Sequence, residues 1–418
     1  MKFPYGIHDF KKIVTEEYFY CDRTDRIPLL EEMTSVIFVR PPGFGKSLLL
    51  SMLANYYDIA LADRFQEIFG NLLIGQNPTE LHNTYYILQF DFSCVDPNGK
   101  SIDEVKKALY DHINERIEAF RLYYQNYSLR EIKIDTDNAL NSLSSLLLAV
   151  RMAPHSIYLL VNGYDNFIIR FIMGKEKNDY EPFDYGHRLL KTFFKIVKSE
   201  TCMSVIDQTF ITGILPVSLS DVSSGYNIAQ NISLTRQFND LCGFTEKEIA
   251  DILKNMAEKC EIKKDQLQKG LDMMKEYYAG YSFSYSFSSS SSQERIYNPG
   301  FATYFLEYFH KNYQFPDKML ECKPERDQLN MAYIFSTEAG KKILSDLVTD
   351  DNAITINNLK TIFSIERISD ERSKTLDLMA SLLYYMGVLT IAEEVNPLHF
   401  GLKIPNHLSQ EFYVNHTR

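Results

Sequence analysis

Along the first 240 residues, short apolar blocks alternate with longer amphipathic stretches. Ser35–Arg40 is β-branched and aromatic and is cut off by Pro41-Pro42-Gly43, which predicts a buried strand. An apolar helix is expected immediately after it, over 47–57. Residues 85–92, 156–161 and 208–213 predict three further strands. Between them, Ile102, Val105, Leu109, Ile113, Ile117 and Phe120 recur every three or four positions, the stripe of a helix with a charged outer face. Helices are also predicted over 137–152 and 187–198. Strand, helix and strand in this rhythm require right-handed crossovers, so the expected class is α/β, a parallel sheet with flanking helices.

From about Thr245 the period becomes mostly helical. Thr245 and Glu248 form a capping box ahead of Ile249, Ile252, Leu253 and Met256. Further helices are predicted over 300–311, 338–347 and 377–385, and the Ser-rich stretch 282–292 reads as a loop. The expected division is 1–245 for the alternating part and 246–418 for a mostly helical C-terminal part, at a length that suits two units.

Charge and cysteine usage narrow the classes. A net charge of −11 weighs against general polyanion binding. The six cysteines form no CxxC pair and no Cys/His cluster, which argues against a zinc site or disulfide framework and suits a reducing compartment. The first twelve residues lack the apolar core of a signal peptide. The longest uncharged apolar run, 378–392, is too short for a bilayer span. A soluble intracellular protein with no membrane partner is expected.

The chemistry concentrates at Arg40-Pro41-Pro42-Gly43-Phe44-Gly45-Lys46-Ser47-Leu48, between the first strand and the first helix. Glycines let the backbone turn N–H groups toward a phosphate, Lys46 adds a point charge, and the Ser47 hydroxyl can ligate Mg²⁺. Pro42 through Leu48 are therefore the candidate nucleotide-binding residues. The usual opening glycine is replaced by Arg40; a chance Gly-Lys-Ser at a Gly-rich helix start is the alternative. Such a loop needs an acidic residue at the end of a neighbouring strand, usually with a glutamate beside it. The obvious carrier, Ile157–Val161, ends instead in Asn162-Gly163-Tyr164-Asp165-Asn166.

These residues resemble the AAA-ATPase-like family of P-loop proteins. Gly6-Ile7-His8-Asp9-Phe10 and Asp22-Arg23-Thr24 are similar to its N-terminal signature. The loop from Arg40 to Leu48 is similar to its Arg-Pro-Arg-Arg-Phe-Gly-Lys-Ser-Leu, so the missing opening glycine is a family trait. Phe90-Asp91-Phe92-Ser93, Phe210–Gly213, Gly243-Phe244-Thr245-Glu246, Tyr281, Tyr297-Asn298-Pro299, Gly387 and Pro405-Asn406 follow in the family's order. The resemblance implies a P-loop NTPase sheet followed by the helical part, with ATP and Mg²⁺ as cofactors. It also implies a γ-phosphate sensor at Thr212.

Two departures bear on activity. The family's strand typically ends in Ile-Asp-Glu-Tyr-Asp, so Asn162 and Gly163 stand where the magnesium-shell aspartate and the glutamate are expected. Long members carry a nuclease-like domain beyond the position of Asn406, and nuclease function is not expected here. Asn162 keeps an acceptor but loses the charge, and charge-assisted bonds are about twice as strong. Gly163 cannot act on water, and general-base catalysis contributes roughly 10²–10⁴ in rate. Binding should thus survive better than hydrolysis.

Three readings remain open. The first is an ATP-binding switch with weak or no hydrolysis. The second is a working ATPase in which Asp165 or Asp91 replaces the lost acids. The third is an interaction scaffold with a vestigial loop. Asp165 is equally a capping residue and Asp91 a strand-end turn residue in the structural reading. Arg40, Arg151, Arg170 and Arg236 are candidate phosphate contacts or simply solvated charges. A protein partner is compatible with the helical part; nucleic acid is not the expected partner at this charge.

Overall fold

The computed structural model describes residues 1–96, 101–173, 180–219, 225–260, 264–284, 294–319, 334–349, 353–392 and 399–414. Five parallel strands form the central sheet: β1 (Ser35–Val39), β2 (Tyr86–Asp91), β3 (Ile157–Asn162), β4 (Ile206–Gly213) and β5 (Gln230–Asn231). Their order is β2-β3-β4-β1-β5, with every neighbouring pair parallel. The expected α/β class is what the chain adopts. β3 has five buried residues in succession because it lies between two strands and under helices on both sides. β2, at the edge, alternates buried and half-buried positions.

The crossovers are α1 (Lys46–Tyr57), α2 (Ile102–Tyr123), α3 (Ala139–Arg151), α4 (Asn166–Met173) and α5 (Tyr180–Thr201). α2 buries Val105, Leu109, Ile113, Ile117 and Phe120, the stripe expected from their spacing, and Ser101 caps its start. α5 starts seven residues before the predicted helix at 187.

Strand register matters more for the site than strand identity. Asp91 pairs with Asn162, Asn162 with Thr212, and Thr212 with Phe38. The carboxyl ends of four strands thus form one row beside the loop that follows β1. In parallel α/β sheets ligands bind at this edge.

Beyond residue 245 lie α6 (Glu246–Cys260), α7 (Lys264–Tyr278), α8 (Pro299–Asn312) and α9 (Leu376–Tyr385), among other described helices. A strand pair, β6 (Phe244–Thr245) with β7 (Ile296–Tyr297), stands at the junction. A three-stranded antiparallel sheet was not foreseen: β8 (Ala353–Ile356), β9 (Thr390–Ile391) and β10 (Phe400–Lys403), in the order β8-β10-β9. These strands are two to four residues long, too short for a period of two to register. The apolar run 378–392 is α9, a glycine turn and β9. Among the described residues no helix is long and apolar enough to cross a membrane.

The large core is continuous from the sheet into the C-terminal residues. Phe38, Leu53 and Phe210 share it with Tyr281, Phe283, Leu383 and Leu402. Residues 282–284, expected to open a polar loop, are buried. The Ser282 N–H donates to Thr390 Oγ1 at 2.8 Å and the Phe283 N–H to Asn239 Oδ1 at 2.9 Å. Residues 285–292 of the Ser-rich stretch lie outside the described residues.

The two parts are also tied by charge. The predicted capping box forms, with the Thr245 N–H donating to Glu248 Oε2 at 2.8 Å and the Glu248 N–H to Thr245 Oγ1 at 3.3 Å. Arg23, from the N-terminal signature, binds the same carboxylate with both terminal nitrogens. Its Nε donates to the Asp240 carbonyl at 2.7 Å and its Nη2 to the Gly243 carbonyl at 3.1 Å. Burial alone would raise the Glu248 carboxyl, but the Arg23 guanidinium outweighs it and holds the pKa at about 2. A depressed carboxyl contributes stability that is full above its unfolded pKa and is lost as pH falls toward the folded one. The chain should be more stable than its Glu248→Gln variant at pH 5, by about 3 kcal/mol at most. That advantage should vanish near pH 2, as read by thermal unfolding across the range.

Candidate functional site

β1 ends where Arg40 opens the loop, and Arg40 is not a phosphate contact. Its guanidinium is buried between the rings of Phe38 and Phe283, 4.3 and 4.2 Å from their centroids. It donates to the carbonyls of Val39 at 2.9 Å, Ser233 at 2.8 Å and Phe238 at 2.8 Å. Burial lowers its pKa to about 10, so it stays charged at neutral pH. The other candidate arginines are elsewhere. Arg151 forms an ion pair with Glu200 at 2.7 Å, just before the amino end of β3 and hence across the sheet from the loop. Arg236 is exposed, and the side chain of Arg170 lies outside the described residues.

The loop itself turns on two glycines in the left-handed region, Gly43 at φ 79° and Gly45 at φ 87°. Gly45 is the N-cap of α1 and has no side chain to offer, so no side chain caps the helix's first amides. That leaves a helix N-terminus with its dipole facing outward. The Lys46 ammonium folds back over the loop, donating to the carbonyls of Arg40 at 2.8 Å and Pro41 at 3.0 Å. Burial pushes its pKa down to about 8, and Asp165 opposes that fall. Phe44 is buried, whereas Pro42, Lys46, Ser47 and Leu48 are half-buried.

A cavity of about 580 Å³ opens against the loop. Gly43 through Leu49 form one wall; the segments from Pro4 to His8 and from Phe19 to Cys21 form another. Leu241–Phe244 and the start of α8 close it. This volume is in the range of small-molecule sites.

The strand-end row holds the remaining candidates. Thr212 is buried and its hydroxyl donates to the Phe38 carbonyl at 2.6 Å. Asn162 donates to Asp91 Oδ2 at 3.0 Å, while Asp91 Oδ1 accepts from the Ser93 N–H at 3.0 Å and from its hydroxyl at 2.5 Å. Asp91 and Asn162 are therefore brought together, the carboxylate one strand over from the expected position.

The residues after β3 form a staple between its two neighbours. The Gly163 N–H donates to the Thr212 carbonyl at 2.9 Å. Asp165 Oδ2 accepts from the Ile214 and Leu215 N–H groups at 2.7 and 2.6 Å. On the other side, Asn166 donates to the carbonyls of Phe92 and Val95, both at 2.9 Å. Tyr164 bonds the Leu215 carbonyl and the Val217 N–H, each at 3.0 Å. Asp165 is buried, and burial raises its pKa despite those two amides and the nearby Lys46 charge.

Gly163 sits at φ 65°, and a Cβ there would lie 2.6 Å from the Ser93 nitrogen and 2.8 Å from its Cβ. Backbone blocks the direction in which a side chain would leave. Among the described residues no cluster of three or more His, Cys, Asp or Glu could hold a metal ion.

Residue spacing had not pointed to Asn166, Phe283, Asn298 or Gly300 as neighbours of this region. Asn298-Pro299 did carry a signal, an N-cap followed by proline at the first helical position. That signal marks a helix start and says nothing of what the helix touches.

Restoring the glutamate should fail. Gly163→Glu is expected to destabilise the chain by about 2–4 kcal/mol, from the positive φ and the collision with Ser93. It should add no nucleotide hydrolysis. A denaturant melt with a phosphate-release assay checks both.

Comparison with known proteins is consistent with this geometry. The family model described as a predicted AAA-ATPase, AAA-ATPase-like, matches residues 4–223, more than half of the chain. No curated protein matches. Among solved structures, Cdc6p from Pyrobaculum aerophilum is 11% identical with a TM-score of 0.33, covering 97% of this chain and 99% of that one. The Aeropyrum pernix Orc1 protein in complex with DNA is 9% identical with a TM-score of 0.32, covering 97% and 89%. Drosophila ORC bound to DNA is 10% identical with a TM-score of 0.29, covering 94% and 85%. Likenesses this loose carry no argument, and the DNA belongs to those complexes alone.

Proposed function

The chain belongs to the AAA-ATPase-like family, and on that footing we propose that it binds ATP with Mg²⁺ as a switch, with weak or no hydrolysis. The residues present fit the group. Gly43 and Gly45 shape a backbone cradle at an uncapped helix start, and the cavity runs on from it. Gly43 through Leu48 would hold the phosphates, Lys46 would leave the Arg40 and Pro41 carbonyls for them, and Ser47 would ligate the magnesium. Mg²⁺ would supply charge neutralisation between the phosphates. The aromatic and aliphatic walls from Pro4 to Cys21 and from Leu241 to Phe244 suit a flat, weakly polar ring such as a purine.

The observation that carries weak turnover is the closed space at Gly163, where no side chain can reach water. Asp165 does not make up for it in this reading, because its Oδ2 holds two amides that shape the end of β4. A second reading, turnover with Asp91 supplying the displaced charge, is favoured by one contact only, its bond to Asn162. Residues 246–418 act in this proposal as the arm that responds to the nucleotide.

The test is a thermal shift with ATP–Mg²⁺ beside a phosphate-release assay. At a hundred times its dissociation constant the ligand should add about 2.7 kcal/mol, and Lys46→Ala should remove the shift. No shift would mean a vestigial loop. Phosphate release that is lost in Asp91→Asn would establish the second reading instead.

Affinity should also depend on pH. A phosphate favours charged Lys46, so binding raises a pKa that starts near 8. Affinity should be full below pH 8 and fall above it, by about tenfold per unit until the bound-state pKa is reached. Titration of a fluorescent ATP analogue from pH 7 to 9.5 checks this, and Lys46→Arg should flatten the profile.

A further inference from the structure

Four successive residues of the loop are held from behind by the C-terminal part. A Cβ on Gly387 would come within 2.9 Å of the Pro41 ring, so that turn is fitted against it. The Pro42 carbonyl accepts from Asn298 Nδ2 at 3.1 Å, and the Gly43 carbonyl accepts from the Gly300 N–H at 3.0 Å. The Phe44 ring meets Tyr281 and Phe283 edge-on, at centroid distances of 5.1 and 5.0 Å.

Asn298 is the centre of this clasp. It is 2% exposed and is the N-cap of α8. Its Oδ1 accepts from the Gly300 N–H at 3.0 Å, and its own N–H donates to the Tyr278 carbonyl at 3.0 Å. The amide takes this orientation because the flipped one would set oxygen against the Pro42 carbonyl and the NH₂ against the Gly300 N–H, which would keep only the Gly43 carbonyl.

The consequence follows from peptide geometry. A trans peptide unit is planar, and its C=O and N–H point in opposite directions. The Pro42 carbonyl shares a plane with the Gly43 N–H, and the Gly43 carbonyl shares one with the Phe44 N–H. Tying both carbonyls to the start of α8 therefore sets which way those two N–H groups face.

We propose that Asn298 is a positioning residue that orients the phosphate-loop peptides and makes α8 the route by which nucleotide occupancy reaches the C-terminal part. This rests on the reading that the loop takes a triphosphate. Rotation of either peptide on ligand binding has to move or strain the first turn of α8.

Asn298→Asp isolates the effect. Aspartate keeps the N-cap acceptor for Gly300 and nearly the same volume, but it puts an oxygen where the donor to Pro42 was. The variant should bind a fluorescent ATP analogue about tenfold more weakly than the unaltered chain, with Mg²⁺ present. In the unaltered chain the nucleotide should slow amide hydrogen exchange over 296–303, and in the variant it should not. A purely structural role for Asn298 would lower the melting temperature without removing that ligand-dependent protection.

Equal affinities, or exchange over 296–303 that is indifferent to nucleotide in the unaltered chain, would overturn the inference while leaving nucleotide binding intact. Absence of any Lys46-dependent binding would overturn both. If Asn298→Asp does not fold, exchange in the unaltered chain decides alone.

Discussion

A guanidinium buried between two phenyl rings is the constraint on which the rest depends. Arg40 stands where a phosphate loop usually opens with glycine, and it is charged inside the core. Burying such a charge costs several kcal/mol unless it is bonded; both terminal nitrogens of Arg40 are bonded, while its Nε meets no hydrogen-bond partner among the described residues. Three carbonyls from β1, from Ser233 and from Phe238 meet it, with aromatic faces above and below. One ring, Phe283, comes from the C-terminal part. The loop's first residue therefore touches both halves of the chain, and the core beside it runs continuously through Tyr281, Leu383 and Leu402.

With that anchor in place, the two sides of the loop take different tasks. The front, from Gly43 to Leu48, lines the cavity. The back, from Pro41 to Phe44, is in contact with Gly387, Asn298, Gly300, Tyr281 and Phe283. The departures at the end of β3 fit this division. In place of an acidic pair, the Gly163–Asn166 turn bonds β2's exit on one side and β4's exit on the other. A turn engaged in that many backbone bonds holds the rim of the site in shape, at the expense of side chains free to act on water.

Much of this was legible from residue order. The four main strands, the α2 stripe, the capping box and the glycine turn ahead of α1 each rest on a local rule: period, cap chemistry or glycine at a turn. The Asn162-Gly163 departure was legible as missing chemistry. What was not legible was why glycine stands there, because Ser93 is 70 positions away and meets Gly163 only after β2 and β3 pair. Arg40 illustrates the same limit. Its charge suggested a phosphate contact, and only the enclosure of its guanidinium between Phe38 and Phe283 shows it turned inward. The β8–β10 sheet escaped because two- to four-residue strands carry too few positions to display alternation.

The sequence by itself determined the class of fold, the place of the glycine turn between β1 and α1, and the presence of Asn162-Gly163 at the end of β3, because each is written in neighbouring residues. The tertiary structure decided which groups those residues meet. It paired Asp91 with Asn162, spent Asp165 on the amides of Ile214 and Leu215, and set Asn298 against Pro42 across 256 positions. Contacts between distant segments depend on strand register and on the shape of a shared core, and no local pattern encodes either.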